Sequence, residues 1–240
     1  MHPCMFRVKE RGVLCMEQRS VALDGPAGAG KSTLARRVAN HFGLIYVDTG
    51  ALYRCVGLYA LRNNVDSKDM PGVVKLLPEI TIDMFYDSDG VQRMLLNGED
   101  VTDDIRIPEA SAYASDVSAM PPVRAFLLSM QSEMAEKYDV IMDGRDIGTV
   151  ILPNAGLKVF LTAQPEVRAR RRYLELMEKN VQTTLEAVLT DMNTRDKNDS
   201  ERVAAPLKAA DDAIILDTSD MDFEMSFSAL CELITGRFGL

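Results

Sequence analysis

The sequence predicts an α/β fold with a doubly wound, five-stranded parallel sheet. Three observations predict it: five short apolar runs of the kind that parallel sheets bury on both faces, helical periodicity between those runs, and a glycine-rich turn directly after the first run. With 240 residues, the chain is long enough to bury a substantial core as one large domain or two small ones.

The predicted strands are short apolar runs that stop at turn residues. The first run, residues 20–24, is stopped by Gly25 and Pro26, as a buried strand would be. The five predicted strands cover residues 20–24, 44–48, 138–142, 157–161 and 213–217. Because most of these runs alternate with helical segments, we expect them to pair in parallel.

The predicted helices carry apolar residues three and four positions apart. In the first helix, Leu34, Val38 and Phe42 fall on one face, and polar residues fall on the other. The predicted helices cover residues 32–42, 51–61, 108–120, 123–136, 166–179, 185–192 and 223–233. Residues 183–186 and 219–222 resemble capping boxes, so we expect them to open the last two helices.

A different pattern interrupts this alternation in the middle of the chain. Residues 80–85 and 91–96 have the pattern of antiparallel strands, and the loop at 87–90 contains the Asp and Gly residues typical of a hairpin. We therefore expect an α+β insertion within the α/β core. The expected division is a core at residues 20–63 and 121–237, an insertion at 64–120 and a disordered extension at 1–19.

Composition and charge exclude several classes of protein. Asp and Glu number 36 against 27 Lys and Arg, and the net charge of -9 argues against a protein that coats nucleic acid. No apolar run reaches the roughly 18 residues of a membrane span, and residues 1–19 lack the apolar stretch of a secretory signal. The cysteines form no CxxC pair. We expect a cytoplasmic monomer with no membrane or nucleic-acid partner.

A phosphate-binding loop follows the first predicted strand. The segment at 25–32 fits the pattern G-x-x-x-x-G-K-S/T, in which backbone N–H groups and a helix N-terminus surround the phosphates of a nucleotide. Lys31 would reach the β- and γ-phosphates, and the Ser32 hydroxyl could ligate Mg²⁺. The residues expected to bind the nucleoside triphosphate are Gly25, Pro26, Ala27, Gly28, Ala29, Gly30, Lys31, Ser32 and Thr33.

The rest of the sequence favours one class of triphosphate enzyme over others. A GTP switch needs N-K-x-D to read guanine, and the nearest segment, residues 196–199, has Asp at the first position. A motor or helicase is normally larger. Small P-loop kinases combine the phosphate loop with an acceptor pocket and an arginine-rich lid, and the sequence offers candidates for both.

The candidate lid is a run of arginines in the helix predicted at 166–179. Four Arg occupy five positions, at 168 and 170–172, and a second basic segment places Arg195 and Arg202 seven residues apart. A solvated helix face is the ordinary explanation of such a run, but arginines also neutralise the charge that develops during phosphoryl transfer. We expect a lid at residues 165–202, with Arg171 and Arg172 as catalytic side chains.

The candidate acceptor residues follow two other predicted strands. Ligands of open parallel sheets lie beyond the carboxyl ends of the strands, so the segments at 48–54 and 143–149 should lie beside the phosphate loop. Arg54 and Arg145 can bind the phosphate of an acceptor, and Asp143 ends an apolar strand where it can help to hold Mg²⁺.

Four segments together resemble the bacterial cytidylate kinase family. They are Gly25-Pro-Ala-Gly-Ala-Gly-Lys-Ser-Thr33, Asp48-Thr-Gly-Ala-Leu-Tyr-Arg54, Asp143-Gly-Arg-Asp-Ile-Gly-Thr149 and the basic segment from Arg195 to Arg202. The resemblance spans residues 20–237 and includes the enlarged insertion. It implies a nucleoside monophosphate kinase-like P-loop fold, an insertion that binds the nucleoside monophosphate, and transfer of the γ-phosphoryl group of ATP to CMP or dCMP with Mg²⁺.

The resemblance also implies roles for individual residues. Around the acceptor phosphate and its approach it places Thr49, Tyr53, Arg54, Arg145 and Arg202. For reading the cytosine it implies Ser115, Arg124 and Asp146, and for holding phosphate and sugar it implies Arg195 and Asp199, respectively. Asp146 suits this role because a carboxylate accepts the exocyclic amino group of cytosine, whereas uracil presents a carbonyl there.

Two positions depart from the family's pattern. Ser32 stands where many relatives have Gly, and Asn198 stands where Arg is often found, so this lid would neutralise less charge. The acceptor phosphate has a second pKa near 6 and is largely anionic at neutral pH, so the reaction needs no general base.

Three other functions stay open at this point. The chain could phosphorylate another acceptor, such as UMP, dTMP or shikimate. It could be a regulatory module that binds ATP without transferring it, or an NTPase stimulated by nucleic acid.

Overall fold

The structure is a computed structural model that describes residues 18–87, 92–178 and 180–240. The chain folds as two compact units. One, the sheet unit, is formed by Arg19–Asp48 and Gln131–Leu240, and the other, the inserted unit, by Thr49–Met130. The inserted unit includes the whole of the insertion expected at residues 64–120.

The elements alternate as the sequence predicts. The strands are β1 (Ser20–Asp24), β2 (Ile45–Asp48), β3 (Ile82–Tyr86), β4 (Gln92–Leu96), β5 (Glu99–Asp100), β6 (Val140–Gly144), β7 (Leu157–Thr162) and β8 (Ile214–Asp217). The helices are α1 (Lys31–Phe42), α2 (Thr49–Arg62), α3 (Met70–Leu76), α4 (Pro108–Val117), α5 (Pro121–Lys137), α6 (Pro165–Glu178), α7 (Leu185–Glu201) and α8 (Phe223–Phe238).

The sheet unit contains a five-stranded sheet in the order β2-β6-β1-β7-β8, with every neighbouring pair parallel. This architecture confirms the predicted fold class. The central strands are the most buried: Val21, Ala22 and Leu23 of β1 are all inaccessible, and because successive strand residues point to opposite faces, β1 is buried on both. Such double-sided burial is the reason why the central strands appear in the sequence as apolar runs, whereas the edge strand β8, predicted to be buried in the same way, exposes Ile214 and Ile215.

The strand register places the carboxyl ends of three strands side by side. Asp24 of β1 is paired with Gly144 of β6, and Asp48 of β2 is paired with Asp143 of β6. Because all three strands run in the same direction, the segments that follow them leave the sheet at one edge. The phosphate loop, the start of α2 and the residues after β6 all begin there.

The inserted unit combines helices with a three-stranded antiparallel sheet in the order β3-β4-β5. The predicted hairpin is present as β3 and β4, and residues 88–91 of its loop lie outside the described residues. Helices α2 and α4 pack closely because Gly57 has no side chain: a Cβ there would lie 2.9 Å from the Cβ of Tyr113. Most of the expected disordered extension, residues 1–17, also lies outside the described residues.

Several local predictions were wrong at helix ends. Helix α8 begins at Phe223, as predicted, but it is capped by Asp222, whose carboxylate accepts the Met225 N–H, and not by Ser219. The Ser219 hydroxyl donates instead to Asp217. Helix α7 is capped by Thr184 and runs nine residues further than its apolar pattern indicates, to Glu201. That extension is polar, so its helical state depends on contacts that periodicity alone does not reveal.

Two short elements, α3 and β5, were not predicted. Helix α3 has only seven residues and contains a Pro and a Gly near its start, where Asp69 caps it by accepting the Gly72 N–H. Over the described residues, none of the helices is both long enough and apolar enough to cross a membrane.

Candidate active site

The phosphate loop joins β1 to α1 and takes its shape from three glycines. Gly25, Gly28 and Gly30 have φ values of 151°, 70° and 89°, a range that residues with side chains rarely adopt. A side chain on Gly25 would also collide with the carbonyl group of Leu161 on β7. Glycine at the first position therefore allows the loop to leave β1 against the neighbouring strand.

Lys31 lies at the start of α1 and folds back over the loop. Its Nζ donates a hydrogen bond of 2.8 Å to the Pro26 carbonyl, and only 6% of the residue is exposed. Burial and the nearby charge of Arg145 lower the pKa of Lys31 well below its ordinary value. A bound anion would stabilise the cation at this buried position, and nucleotide phosphates are such anions.

Asp143 at the end of β6 is held by two hydroxyl groups. Ser32 donates to its Oδ2 at 2.7 Å, and Tyr46 donates to its Oδ1 at 3.0 Å. Burial, followed by the nearby charge of Asp48, raises the pKa of Asp143. The structure therefore brings together Ser32 and Asp143, the two residues predicted to hold a metal ion.

Tyr46 was not identified as a site residue from the sequence. It lies on β2, and the pKa of its hydroxyl is raised well above the ordinary value, mainly by burial. The hydroxyl therefore keeps its proton at neutral pH and acts as a donor to Asp143. The only sequence signal for it was a tyrosine inside an otherwise apolar strand.

Asp24 is a second residue that was not identified from the sequence. Its buried carboxylate accepts the N–H groups of Ile147 at 2.8 Å and Gly148 at 2.7 Å, in the π-helical turn Ile147–Ile151 that follows β6. Burial raises the pKa of Asp24 to about 6, although both hydrogen bonds lower it. This contact ties the start of the phosphate loop to the segment that carries Arg145 and Asp146.

The residues after β6 form ion pairs with α7 and the residue that ends it. Arg145 donates from Nε to Asp199 at 2.8 Å, and Arg202 donates from Nη2 to Asp146 at 3.2 Å. Both members of the second pair are buried. Thus four of the five predicted acceptor residues in the sheet unit are cross-paired, and the fifth, Arg195, lies on α7 close enough to lower the pKa of Lys31.

The other five predicted acceptor residues belong to the inserted unit. Thr49, Tyr53 and Arg54 occupy the first turns of α2, Ser115 lies on α4, and Arg124 lies on α5. The Arg124 guanidinium lies 5.7 Å from the centre of the Tyr53 ring and donates to the Ser118 carbonyl at 3.1 Å. The structure therefore brings Tyr53 and Arg124 together within this unit.

The arginines of α6 have separate partners. Arg171 donates to the Thr218 carbonyl at 2.7 Å and the Met221 carbonyl at 3.1 Å, and Arg172 pairs with Glu175 on the helix surface at 2.8 Å. A contact of either side chain with a transferring phosphoryl group stays a prediction. Arg168, which was given no role of its own, instead reaches the phosphate loop at the Ala27 carbonyl.

The comparisons with known proteins agree with one another. A family model described as cytidylate kinase matches residues 21–236. A cytidylate kinase of Caldicellulosiruptor bescii is 48% identical over 218 residues, which are 91% of this chain and 96% of that protein. A cytidylate kinase of Lactobacillus johnsonii is 46% identical over 227 residues, which are 95% of this chain and 97% of that protein. The chain belongs to the cytidylate kinase family.

Membership of the cytidylate kinase family confirms the resemblance and the predicted class of enzyme, a phosphotransferase that uses ATP as its phosphoryl donor. Among solved structures, an uncharacterized protein from Eubacterium ventriosum aligns with a TM-score of 0.52 at 14% identity, covering 92% of this chain and 100% of that chain. At this identity the likeness concerns the fold alone, and it agrees with the α/β architecture described above.

The raised pKa of Asp24 predicts a pH dependence of stability. Because that pKa is about 6 in the folded protein against an ordinary 3.8, the folded protein takes up this proton first as the pH falls. The resulting stabilisation is complete below the ordinary pKa of 3.8, and it is lost as the pH rises through the folded-state pKa of about 6. Relative to Asp24→Asn, the wild-type free energy of unfolding should increase by about 1.4 kcal/mol between pH 7.5 and pH 5.

Urea unfolding of both proteins at the two pH values measures this difference. The asparagine does not titrate, so its own effect on the free energy of unfolding is the same at both pH values and cancels in the comparison. A difference that does not change with pH, or that changes in the opposite direction, would contradict the assignment.

Proposed function

We propose that this member of the family is a cytidylate kinase that transfers the γ-phosphoryl group of ATP to CMP or dCMP, giving ADP and CDP or dCDP. One observation in the sheet unit carries the proposal. The phosphate loop with Lys31 lies at the same sheet edge as the turn whose Arg145 and Asp146 pair with Asp199 and Arg202. A donor-phosphate site is thus adjacent to charged groups that suit a phosphorylated, hydrogen-bonding acceptor.

On the donor side, residues 25–33 bind the phosphates of ATP, chiefly through the backbone N–H groups that follow Ala27 and through Lys31, which exchanges the Pro26 carbonyl for phosphate oxygens. Mg²⁺ fits the residues present, because Ser32 and Asp143 offer the oxygen ligands that it prefers. Within the described ranges, no cluster of three or more His, Cys, Asp or Glu side chains could hold a metal ion. A bound Mg²⁺ would neutralise phosphate charge and would take its other ligands from phosphate oxygens and water.

On the acceptor side, we assign the roles that the resemblance implies. Arg145 and Arg202 bind the acceptor phosphate after giving up their carboxylate partners, and Asp146 then accepts the amino group of cytosine. Asp199 holds the sugar, and Arg195 a phosphate. The proposed acceptor residues of the inserted unit are Thr49, Tyr53, Arg54, Ser115 and Arg124.

The reaction is a direct in-line transfer without a general base. The acceptor oxygen is already largely anionic at neutral pH because the second pKa of a phosphate monoester is near 6. The protein therefore contributes alignment and charge neutralisation, chiefly through Lys31 and the arginines. The proposed roles of Arg171 and Arg172 require both side chains to leave their present partners. The monomeric state and the cytoplasmic location stay predictions.

Acceptor specificity tests the proposed function directly. With ATP and Mg²⁺, release of ADP should be rapid with CMP and dCMP and slow with UMP, AMP and dTMP, each presented separately at equal concentration. Preference for another nucleotide would contradict the assigned base pocket, and no turnover with any acceptor would contradict the proposed function.

Lys31→Ala should lower turnover with CMP by orders of magnitude while circular dichroism shows an intact fold.

Asp146→Asn should change which base is preferred. The variant replaces an acceptor-only carboxylate with an amide that can also donate, so the kcat/KM for CMP should fall about 100-fold and the ratio of UMP to CMP turnover should rise. Asp139→Asn is the matched control, because it breaks the Arg19–Asp139 pair outside the proposed site. An unchanged ratio in Asp146→Asn would show that this carboxylate does not read the base.

Tyr46→Phe should weaken the proposed metal site. Loss of one of the two hydroxyl donors to Asp143 should raise the Mg²⁺ concentration for half-maximal turnover about tenfold, since groups that orient a ligand typically contribute at this level. Tyr59→Phe removes a hydrogen bond of the same 3.0 Å length to Glu79 on the exposed surface, and it should leave the Mg²⁺ requirement unchanged. Equal Mg²⁺ titrations of the two variants would refute the role of Tyr46.

A further inference from the structure

Both polar backbone groups of Ala27 are engaged by side chains from the lid helices. The Ala27 N–H donates to Oδ1 of Asp196 on α7 at 3.1 Å, and the Ala27 carbonyl accepts from Nη1 of Arg168 on α6 at 2.8 Å. The same Nη1 donates to Oδ2 of Asp196 at 2.6 Å. These three groups form a closed arrangement, the Arg168–Asp196 clasp, around a single residue of the phosphate loop.

The arginine of the clasp is buried, and the contacts that it makes are specific to arginine. Arg168 is only 5% exposed, and its Nε donates a further hydrogen bond of 2.8 Å to the Ala163 carbonyl. One planar guanidinium thus bonds to two carbonyl groups and one carboxylate, which a lysine ammonium at the end of a flexible stem cannot reproduce with the same geometry. Burial at this level also favours a single conformation of the side chain.

The next residue of the loop is restrained by the same two helices. Gly28 has a φ of 70°, and a Cβ at this position would lie 3.3 Å from the Arg168 carbonyl oxygen and 2.5 Å from the Cε of Met192 on α7. Helices α6 and α7 therefore pack directly on the loop at Ala27 and Gly28. The glycines here leave the peptide planes free to rotate, so contacts from outside the loop must fix them.

We propose that Arg168 and Asp196 are positioning residues for ATP, which act by fixing the Ala27 peptide. The amides that follow Ala27 can converge on phosphate oxygens only if this peptide keeps its orientation, and a loop that is already ordered loses less entropy on binding. This inference rests on the proposed function in that the ligand is ATP. It adds that the affinity for ATP depends on two side chains that need not touch it.

The decisive test keeps the charge and changes only the geometry. Arg168→Lys retains the positive charge, so the electrostatic attraction for the triphosphate is preserved while the bonds to Ala27 and Asp196 are lost together. The matched control is Arg19→Lys. Arg19 makes a similar pair, donating from Nε and Nη2 to Asp139 at 2.9 and 2.6 Å, at the amino ends of β1 and β6.

The expected result is a specific loss of ATP binding. Isothermal titration with ATP in the absence of acceptor should give a Kd about tenfold higher for Arg168→Lys than for the wild type, and the KM for ATP should rise by the same factor. The KM for CMP should change by less than twofold. Hydrogen exchange of the peptide at residues 25–33 should be faster in Arg168→Lys, and Arg19→Lys should match the wild type in all these measurements.

Asp196→Asn provides a second, independent variant. It should also raise the Kd for ATP. The Kd of the double variant should not exceed the higher Kd of the two single variants, since both changes break one unit. If Arg168→Lys fails to fold, Asp196→Asn alone decides the matter. Binding of ATP within twofold of the wild type, or tighter binding in Asp196→Asn, would overturn the proposal; the second result would mean that the carboxylate competes with the triphosphate.

The same experiments separate this proposal from the proposed function. If the wild-type protein binds ATP but phosphorylates no CMP, the proposed function fails while the titrations with ATP still judge the clasp. If the wild type phosphorylates CMP and Arg168→Lys binds ATP normally, the proposed function stands and the clasp has no positioning role.

Discussion

The site depends on one constraint, the parallel pairing of β1 with β6. Together with the pairing of β6 and β2, it places the carboxyl ends of three strands at one edge, with Asp24 beside Gly144 and Asp48 beside Asp143. Asp24 and Asp143 are buried there, and buried charges are unfavourable unless each is compensated. The neighbouring groups provide that compensation: two N–H groups bind Asp24, and two hydroxyl groups bind Asp143. The loop glycines are needed because the chain must turn within this crowded edge.

The cations of the site are compensated in the same way. The Lys31 Nζ donates to the Pro26 carbonyl. Arg145 pairs with Asp199 of α7, and Arg202, directly after α7, pairs with Asp146. Removing one partner of a buried pair is costly, so these arginines exchange partners only when an anion of similar strength replaces the carboxylate. A phosphate meets that condition. The ion pairs thus order these side chains, and in the proposed function substrate phosphates take the place of the carboxylates.

Sequence reasoning succeeded where the pattern is local and failed where the partner is distant. The strands and the phosphate loop are local patterns, since burial on both faces demands apolar runs and the loop demands glycines. The pairs Arg145–Asp199 and Arg202–Asp146 join residues more than 50 positions apart, and no spacing rule reveals them. Tyr46 was missed for the same reason: the register pairs it with Ile141 of β6, and its hydroxyl reaches Asp143 two residues further along that strand. Ser219 does not cap α8 because its hydroxyl is bonded to Asp217; Asp222 caps the helix instead.

The arginine run of α6 shows why one pattern can carry several roles. Successive helical residues point about 100° apart, so four arginines in five positions cannot all face one ligand. Arg168 faces the phosphate loop, Arg171 faces the carbonyl groups that follow β8, and Arg170 and Arg172 are exposed. Two of the four arginines thus lie on an exposed helix face, whereas Arg168 contacts the backbone of the phosphate loop. Arg168 and Arg171 lie one turn apart on the same side of α6, so their bonds hold the helix against the phosphate loop and against the residues that follow β8. A helix fixed in this way holds the backbone of the phosphate loop at Ala27.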